Sequence, residues 1–199
     1  MARLIGDLLS LSRIELNEHI APEGVVDLAQ TVQDVVDATR PLTADRGVTL
    51  EISAGAGPHR VVGERDQLVQ VIQNLVDNAV KYSPAGGCVR IELERAADLE
   101  RARSSSRPGA VALSLLSPDS PLNLAYVAVR IADEGPGIAR QHLPRLSERF
   151  YRVEGQKSGG TGLGLAIVKH VVNRHRGGLM VESAEGGGTT FTVYLPLAD

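Results

Sequence analysis

The chain has 199 residues, of which 43% are hydrophobic, and its formal net charge is −3. This length allows one good core with a small additional piece. The slight acidity argues against a nucleic-acid-binding domain, and aromatic residues at 3% with no Trp argue against a surface that stacks bases.

The sequence has the character of a soluble cytoplasmic segment. Its single cysteine, Cys88, excludes an internal disulfide and fits a reducing compartment. No apolar run approaches the roughly 20 residues needed to span a bilayer. Asp7 interrupts the segment where a signal peptide would be apolar. The chain is also compatible with a fragment of a larger protein.

The first predicted element is a helix of about four turns at the start of the chain. Its apolar stripe consists of residues that recur at helical spacing, namely Leu4, Ile5, Leu8, Leu9, Leu11 and Ile14. Two partners for this stripe remain open. It packs either on its own domain or on a second copy, as a helical hairpin in a dimer.

Helices and strands then alternate along the chain. Helical periodicity is found in residues 27–46 and 66–82, and Pro41 is expected to end or kink the first of these. Alternating or apolar runs predict strands at residues 48–53, 59–63, 88–93 and 126–132. Between the last two strands, residues 94–124 show no regular pattern. They are either a mobile surface insertion or a docking element, and such a long connection is unusual in a compact domain.

The last third of the chain is rich in glycine. Residues 135–160 predict a long loop with one short helix. Residues 161–176 predict a helix that ends in a glycine cap at Gly177 and Gly178. Two strands, at 179–183 and 190–195, are joined by a glycine hairpin. His170 and His175, in or at the end of the last helix, are expected to have surface roles.

The first motif that indicates chemistry lies on the helix at residues 66–82. Gln70, Asn74, Asn78 and Lys81 are four, four and three residues apart, which places them on one helical face opposite the apolar stripe. An Asn oxygen can hold Mg²⁺, and a Lys can face phosphate as a point charge. An ordinary solvated face explains the same spacing.

The second motif, Asp133-Glu-Gly135-Pro-Gly137, follows directly on a strand. Its glycines let the backbone turn sharply and approach a ligand closely, and Asp133 could accept a hydrogen bond from an exocyclic amine. A plain turn gives the same pattern.

The third motif, Gly160-Thr-Gly162-Leu-Gly164, opens a helix, where free N–H groups bind phosphate. It has neither the Lys of a Walker A loop nor the dinucleotide fingerprint. A flexible helix entry without a ligand remains the alternative.

In this order, the motifs resemble the catalytic and ATP-binding domain of histidine kinases, from the superfamily that includes gyrase, Hsp90 and MutL. Residues 74–82 resemble its N box, 133–137 its first glycine box, 149–153 its F box, 160–164 its second glycine box and 185–191 its final strand pair. The resemblance covers residues 27–197. It implies a two-layer α/β sandwich (the Bergerat ATP-binding fold) with a mixed five-stranded sheet and three helices. The ATP-binding domain would span residues 25–199 with an insertion at 95–124, and residues 1–20 would be the second helix of a dimerisation hairpin.

The resemblance also implies ATP and Mg²⁺ as cofactors and a role for each matching residue. Asn78 would hold Mg²⁺, with Asn74 near the same ion, and Arg152 would approach the γ-phosphate. Asp133 would bind the adenine amino group. The remaining implied contacts are Lys81 and Tyr82 on the triphosphate, Gly135, Gly137 and Ile138 at the adenine wall, Lys157 in the lid, Gly160, Thr161, Gly162, Leu163, Gly164 and Leu165 at the helix start, and either Thr189 or Thr190 on adenine.

One feature that separates the branches of the superfamily, and two departures from the histidine kinase pattern, refine the implied function. Gyrase-like ATPases have a Glu four residues before the metal Asn, to activate water. Here that residue is Asn74, and a carboxamide is no useful general base. Ser147 replaces an F-box Phe, which predicts looser lid packing. None of the five histidines lies in a His-Glu-Leu-Arg-Thr-Pro-like phosphoacceptor box.

The resemblance therefore implies the ATP-delivering part of a protein-histidine kinase whose acceptor histidine lies outside this chain. Its implied partners are that acceptor hairpin and a response regulator receiver domain, and no nucleic acid. The parent would be a membrane-anchored dimeric sensor, of the phosphate-responsive type. A regulatory module without turnover and an ATPase that hydrolyses ATP are the alternatives.

Overall fold

The computed structural model describes residues 2–103, 109–117, 124–153 and 160–198. The α-helices are α1 (Ala2–Leu16), α2 (Leu28–Thr43), α3 (Arg65–Tyr82), α4 (Leu99–Ala102) and α5 (Gly164–Arg174), with 3₁₀ turns at Ala44–Arg46 and Arg140–Arg145. The strands are β1 (Val25–Asp27), β2 (Thr49–Ala54), β3 (Arg60–Val62), β4 (Cys88–Ala96), β5 (Val111–Leu116), β6 (Tyr126–Ala132), β7 (Gly178–Ser183) and β8 (Thr189–Pro196). Among the described residues, no helix is long and apolar enough to cross a membrane.

One mixed sheet organises the fold. Its strand order is β2-β4-β6-β8-β7-β5. Only β2 and β4 run parallel, and every other neighbouring pair is antiparallel. The prediction of a mixed sheet is confirmed, but the count of five strands is wrong because β5 adds a sixth. The short strand predicted at residues 59–63 lies outside this sheet, where β3 pairs with β1.

The main core lies between this sheet and helices α2, α3 and α5. Alternate residues of each strand face the helices, because side chains alternate across a sheet. On β6 the core residues are Val127, Val129 and Ile131, which are at most 1% exposed. Leu75 and Val76 of α3 are fully buried against the same core. The predicted α/β sandwich with three helices in one layer is therefore confirmed.

Residues 94–124 contain more structure than the sequence pattern predicted. β4 continues to Ala96, Asp98 caps α4 by accepting from the Arg101 N–H at 2.8 Å, and β5 pairs antiparallel with β7. The apolar run of β5 supplies backbone partners to the outer edge of β7, which would otherwise be open to water. The expectation of an unstructured surface segment is therefore wrong for these parts, while residues 104–108 and 118–123 lie outside the described residues.

A second, smaller core covers the sheet face away from α2, α3 and α5. Here Tyr126 and Tyr194 are fully buried with their rings edge to face, 5.8 Å apart between centroids. Leu99 and Ala102 of α4 pack into the same cluster. The segment between β4 and β6 therefore contributes in two ways. Its strand β5 forms one edge of the sheet, and its helix α4 covers the second face of the sheet.

Two helix ends differ from their predictions. Pro41 does not end α2, which continues to Thr43, because a proline in the last turn removes only the hydrogen bond to the carbonyl of exposed Asp37. The residue in left-handed conformation after α5 is Arg176 (φ 57°), and not a glycine. The two glycines that follow are needed for space instead, since a Cβ would lie 2.5 Å from the Tyr194 carbonyl oxygen at Gly177 and 2.1 Å from the Tyr194 ring at Gly178.

His175 follows α5 and is buried, which corrects the expected surface role. It is 3% exposed, its Nδ1 lies 2.8 Å from the Val171 carbonyl, and its Nε2 accepts from the Glu64 N–H at 3.1 Å. Nε2 can accept only when the ring is neutral. Burial lowers the pKa of His175, outweighing the opposite effect of the Val171 carbonyl, and the charge of Arg174 lowers it further.

Acidification should therefore destabilise the fold through His175. The unfolded chain binds a proton at this residue as the pH falls through about 6.5, while the folded chain still holds it neutral, so stability is lost below that pH. His175→Ala should lower the free energy of unfolding by roughly 2–3 kcal/mol at pH 7.5 and by less at pH 5.5. Urea unfolding at both pH values measures this. Exposed His19→Ala is the control, and an equal loss at both pH values would contradict the assignment.

Candidate functional site

An open cleft lies between α3, the turn after β6 and the start of α5. It encloses about 1040 Å³ of space when the open solvent at its mouth is included. Most of the residues singled out from the sequence line it. They are Asn74, Asn78, Lys81, Tyr82, Asp133, Gly137, Ile138, Arg152, Gly160, Thr161, Gly162, Gly164, Leu165 and Thr189.

The polar face of α3 forms one wall of the cleft. Asn74, Asn78 and Lys81 line it, which favours the ligand-binding interpretation of their spacing over an ordinary solvated face. Lys81 donates from Nζ to the Tyr82 hydroxyl at 3.2 Å. Gln70, one turn earlier, contacts Ser10 of α1 instead. The face therefore divides into a part covered by α1 and a part open to a ligand.

Asp133 is held at the end of β6 in a fixed orientation. Its Oδ1 accepts from the Gly135 N–H at 2.8 Å and from the Thr189 N–H at 3.2 Å, and the residue is 5% exposed. A carboxylate fixed in this way at a cleft wall can accept from a ligand N–H group. Gly135 itself lies behind the wall, between Asp133 and Tyr82.

Gly137 joins the turn after β6 to the β7–β8 hairpin. Its φ is +72°, and a Cβ there would lie 1.9 Å from the Ala184 carbonyl oxygen, so no other residue fits. Two hydrogen bonds connect the same segments: the Gly186 N–H donates to the Pro136 carbonyl at 2.7 Å, and the Ile138 N–H donates to Ser183 Oγ at 2.9 Å. The predicted close backbone approach is therefore made to the chain itself, and it forms the cleft wall.

The F box and the start of α5 are joined in the same way. The Phe150 N–H donates to the Gly162 carbonyl at 2.9 Å, and a Cβ on Gly162 (φ +72°) would lie 2.8 Å from the Phe150 Cα. Phe150 adopts φ +62° and is 56% exposed. This junction fixes where the two ends of the predicted lid emerge. Lys157, between them, lies outside the described residues.

Two predicted contact residues do not line the cleft with their side chains. Leu163 is fully buried in the core, and its N–H donates to Thr161 Oγ1 at 3.3 Å. Of the two threonines on β8, Thr189 lines the cleft, whereas Thr190 is not among the lining residues. Adjacent strand residues point to opposite faces, so only one of the pair can reach the cleft.

Several lining residues were not predicted to contribute. They are Asp7, Asp77, Pro136, Leu146, Tyr151, Val153 and Phe191. The Tyr151 hydroxyl lies 2.6 Å from His142 Nδ1, and the Arg145 guanidinium lies 4.2 Å from the Tyr151 ring centroid. Leu146, Tyr151 and Phe191 lie within or beside the recognised motifs, so their positions in the sequence could have predicted that they line the cleft. Asp7 lies far away in sequence, and no local signal pointed to it.

The cleft does not resemble a site that holds a metal with protein ligands alone. Among residues 2–103, 109–117, 124–153 and 160–198, no three His, Cys, Asp or Glu side chains converge as metal ligands. An amide oxygen such as that of Asn78 suits Mg²⁺ in its usual nucleotide setting. There the ion takes one or two protein ligands and completes its shell with phosphate and water.

Comparisons with known proteins agree with this geometry. The family model described as histidine kinase-, DNA gyrase B-, and HSP90-like ATPase matches residues 63–199. The chain is 34% identical over 199 residues to the sensor-like histidine kinase SenX3 of Mycolicibacterium smegmatis, covering 98% of this chain and 44% of that protein. It is 34% identical over 197 residues to the phosphate regulon sensor protein PhoR of Pseudomonas aeruginosa, covering 98% of this chain and 38% of that protein.

One solved structure has the same fold as this chain over nearly the whole length of the solved chain. The mycobacterial sensor histidine kinase MprB superposes with a TM-score of 0.64 at 29% identity, covering 87% of this chain and 97% of the solved chain. The chain spans less than half the length of the two curated relatives. It belongs to the histidine kinase-, DNA gyrase B- and HSP90-like ATPase family, and its relatives within that family are sensor histidine kinases.

Proposed function

We propose that this chain binds Mg²⁺–ATP in the cleft and delivers the γ-phosphate to a histidine outside the chain, for relay to a response regulator Asp. The main observation that supports this proposal is the position of Asn74, which lines the cleft one helical turn before Asn78. A carboxamide cannot take a proton from water, so this position does not favour hydrolysis. Transfer to a protein nucleophile is the function that agrees with both the cleft and the family.

The proposed nucleotide lies along the length of the cleft. Asp133 accepts from the adenine amino group, beside Thr189 and the backbone wall at Gly137 and Ile138. The phosphates lie at the other end, toward the glycines that open α5 and toward Lys81 and Arg152. Asn78 would hold Mg²⁺ through its side-chain oxygen, and the ion would neutralise phosphate charge when bound. The supporting observation is that residues of both ends line a single continuous cleft.

The proposed partners follow from the same family membership. Residues 1–20, which include α1, would be the second helix of a dimerisation hairpin whose first helix carries the acceptor histidine. Residues 25–199 would be the ATP-binding domain. We propose that the parent is a membrane-anchored dimeric sensor with this chain on its cytoplasmic side, and that it phosphorylates a response regulator receiver domain.

Phosphotransfer in trans tests the proposed function. The chain is mixed with radiolabelled ATP, Mg²⁺ and a separate helical hairpin that carries the parent's acceptor histidine. The hairpin should gain an acid-labile label only when Mg²⁺ is present, while this chain stays unlabelled. Acid-labile phosphohistidine on this chain would contradict the assignment of the acceptor. Steady-state phosphate release without transfer would support a hydrolysing ATPase instead.

A further inference from the structure

Helix α1 is docked on the ATP-binding domain beside the cleft. Its Leu11 and Ile14 are 2% and 4% exposed in the main core. Ser10 Oγ and the Gln70 amide lie 3.0 Å apart in a hydrogen bond to α3. Toward its C-terminal end, Glu15 pairs with Arg149, and Glu18 Oε2 lies 2.9 Å from His170 Nδ1. These contacts lie in the second half of α1 and just beyond its end, and Leu4, near its start, is partly buried against the same core. Both ends of the helix are therefore held.

The same helix places one carboxylate in the cleft. Thr161 Oγ1 donates to Asp7 Oδ2 at 2.7 Å, and Asp7 is among the residues that line the cleft. Thr161 lies in the glycine-rich segment that opens α5. A Cβ built on Gly164, the first residue of α5, would lie 3.2 Å from Asn74 Oδ1, so this corner of the cleft brings together α1, α3 and α5.

This corner is the end of the cleft where the proposed nucleotide has its phosphates. The exposed N–H groups at the start of a helix favour a bound anion. The Asp7 carboxylate is an anion that already lies at this place. Thr161 has one hydroxyl proton, so it can donate to Asp7 or to a phosphate oxygen but not to both at once. A carboxylate and a terminal phosphate within a few ångströms repel each other, even where water screens them.

We propose that Asp7 makes the cleft discriminate between nucleotides by their number of phosphates. Docking of α1, the helix that carries Asp7, opposes the binding of a triphosphate. With an empty cleft or a nucleoside, Asp7 keeps its bond to Thr161 and α1 stays docked. A triphosphate takes the Thr161 donor, repels Asp7 and weakens the docking of α1. This inference rests on the proposed function, because it places phosphate at this end of the cleft.

The two events are linked reciprocally. If a triphosphate loosens α1, then docked α1 must weaken triphosphate binding by the same factor. A ligand that does not reach the Thr161 corner has no such effect, because it interacts equally with the docked and undocked states. Adenosine, ADP and a non-hydrolysable ATP analogue therefore form a series in which only the number of phosphates changes.

Asp7→Asn tests the inference by calorimetry with these three ligands and Mg²⁺. The substitution should increase affinity for the ATP analogue by roughly tenfold, affinity for ADP by less and affinity for adenosine by less than about twofold. Asp37→Asn, at an exposed position of α2, is the matched control because it removes the same charge at a residue that does not line the cleft. It should leave all three affinities unchanged.

Hydrogen exchange of the α1 backbone amides gives a second readout. In the unchanged chain, exchange should be faster with the ATP analogue than with adenosine, and Asp7→Asn should remove most of this difference. Weaker binding of the ATP analogue in Asp7→Asn would overturn the inference by making Asp7 a metal or phosphate-side ligand. An equal increase in affinity for all three ligands would also overturn the inference. So would an α1 exchange rate that does not depend on the number of phosphates. Failure of the unchanged chain to bind any of the ligands would overturn the proposed function as well.

Discussion

Asp133→Ala should weaken ATP binding by roughly 10- to 100-fold, the effect of losing a hydrogen bond from a charged acceptor. The substitution also leaves the Gly135 and Thr189 N–H groups without their shared acceptor at the cleft wall. Titration calorimetry with ATP and Mg²⁺ measures the affinity. Circular dichroism and thermal unfolding of the same variant establish that the domain is still folded when binding is measured.

Asp133→Asn separates recognition of adenine from support of the wall. Its side-chain oxygen can still accept from Gly135 and Thr189, but its other end becomes an N–H₂ donor. Two donors then face each other when ATP is bound, whereas a purine with an oxygen at position 6 offers an acceptor. The variant should therefore prefer ITP to ATP. Unchanged ATP affinity in Asp133→Ala would place adenine elsewhere in the cleft.

Gly137→Ala should lower the free energy of unfolding by at least about 3 kcal/mol, because overlap in a packed site adds to backbone strain. Its Cβ would overlap the Ala184 carbonyl oxygen, which lies only 1.9 Å from the ideal position. The turn after β6 could then no longer pack on the β7–β8 hairpin, and both form the adenine end of the proposed site. Urea unfolding measures the loss of stability.

Gly186→Ala is a matched control for Gly137→Ala. The two glycines have nearly the same φ, +74° and +72°, but a Cβ on Gly186 meets nothing within 4 Å. This variant should therefore cost only the strain of a left-handed non-glycine residue, about 1–2 kcal/mol. Equal losses in the two variants would mean that conformation, and not contact with Ala184, explains the need for Gly137.

The central elements of the fold could be predicted because their signals are local. The α3 helix carries its apolar and polar residues on opposite faces, so its sequence alone indicates both the buried side and the side that lines the cleft. Strands β4, β6 and β8 have regular alternation or apolar runs. The glycine positions of the cleft were also predictable, although their reason was not, since Gly137 and Gly162 make room for the chain's own backbone.

The remaining features depend on contacts between distant segments. β5 has an apolar run like many others, and only the open edge of β7 gives it a partner. Asp7 and Thr161 are separated by more than 150 residues and meet only because α1 docks beside α5. No periodicity or spacing could predict these two features.

The cover on the second face of the sheet has a consequence for engineering the domain. Because both faces are covered, all six residues of β7 are buried, and the strand offers no position where a bulky group could point into water. β2, at the opposite edge, keeps solvent-exposed positions such as Thr49 and Glu51. A fluorophore or spin label that must leave the fold undisturbed therefore belongs at Glu51 on β2, and not on β7.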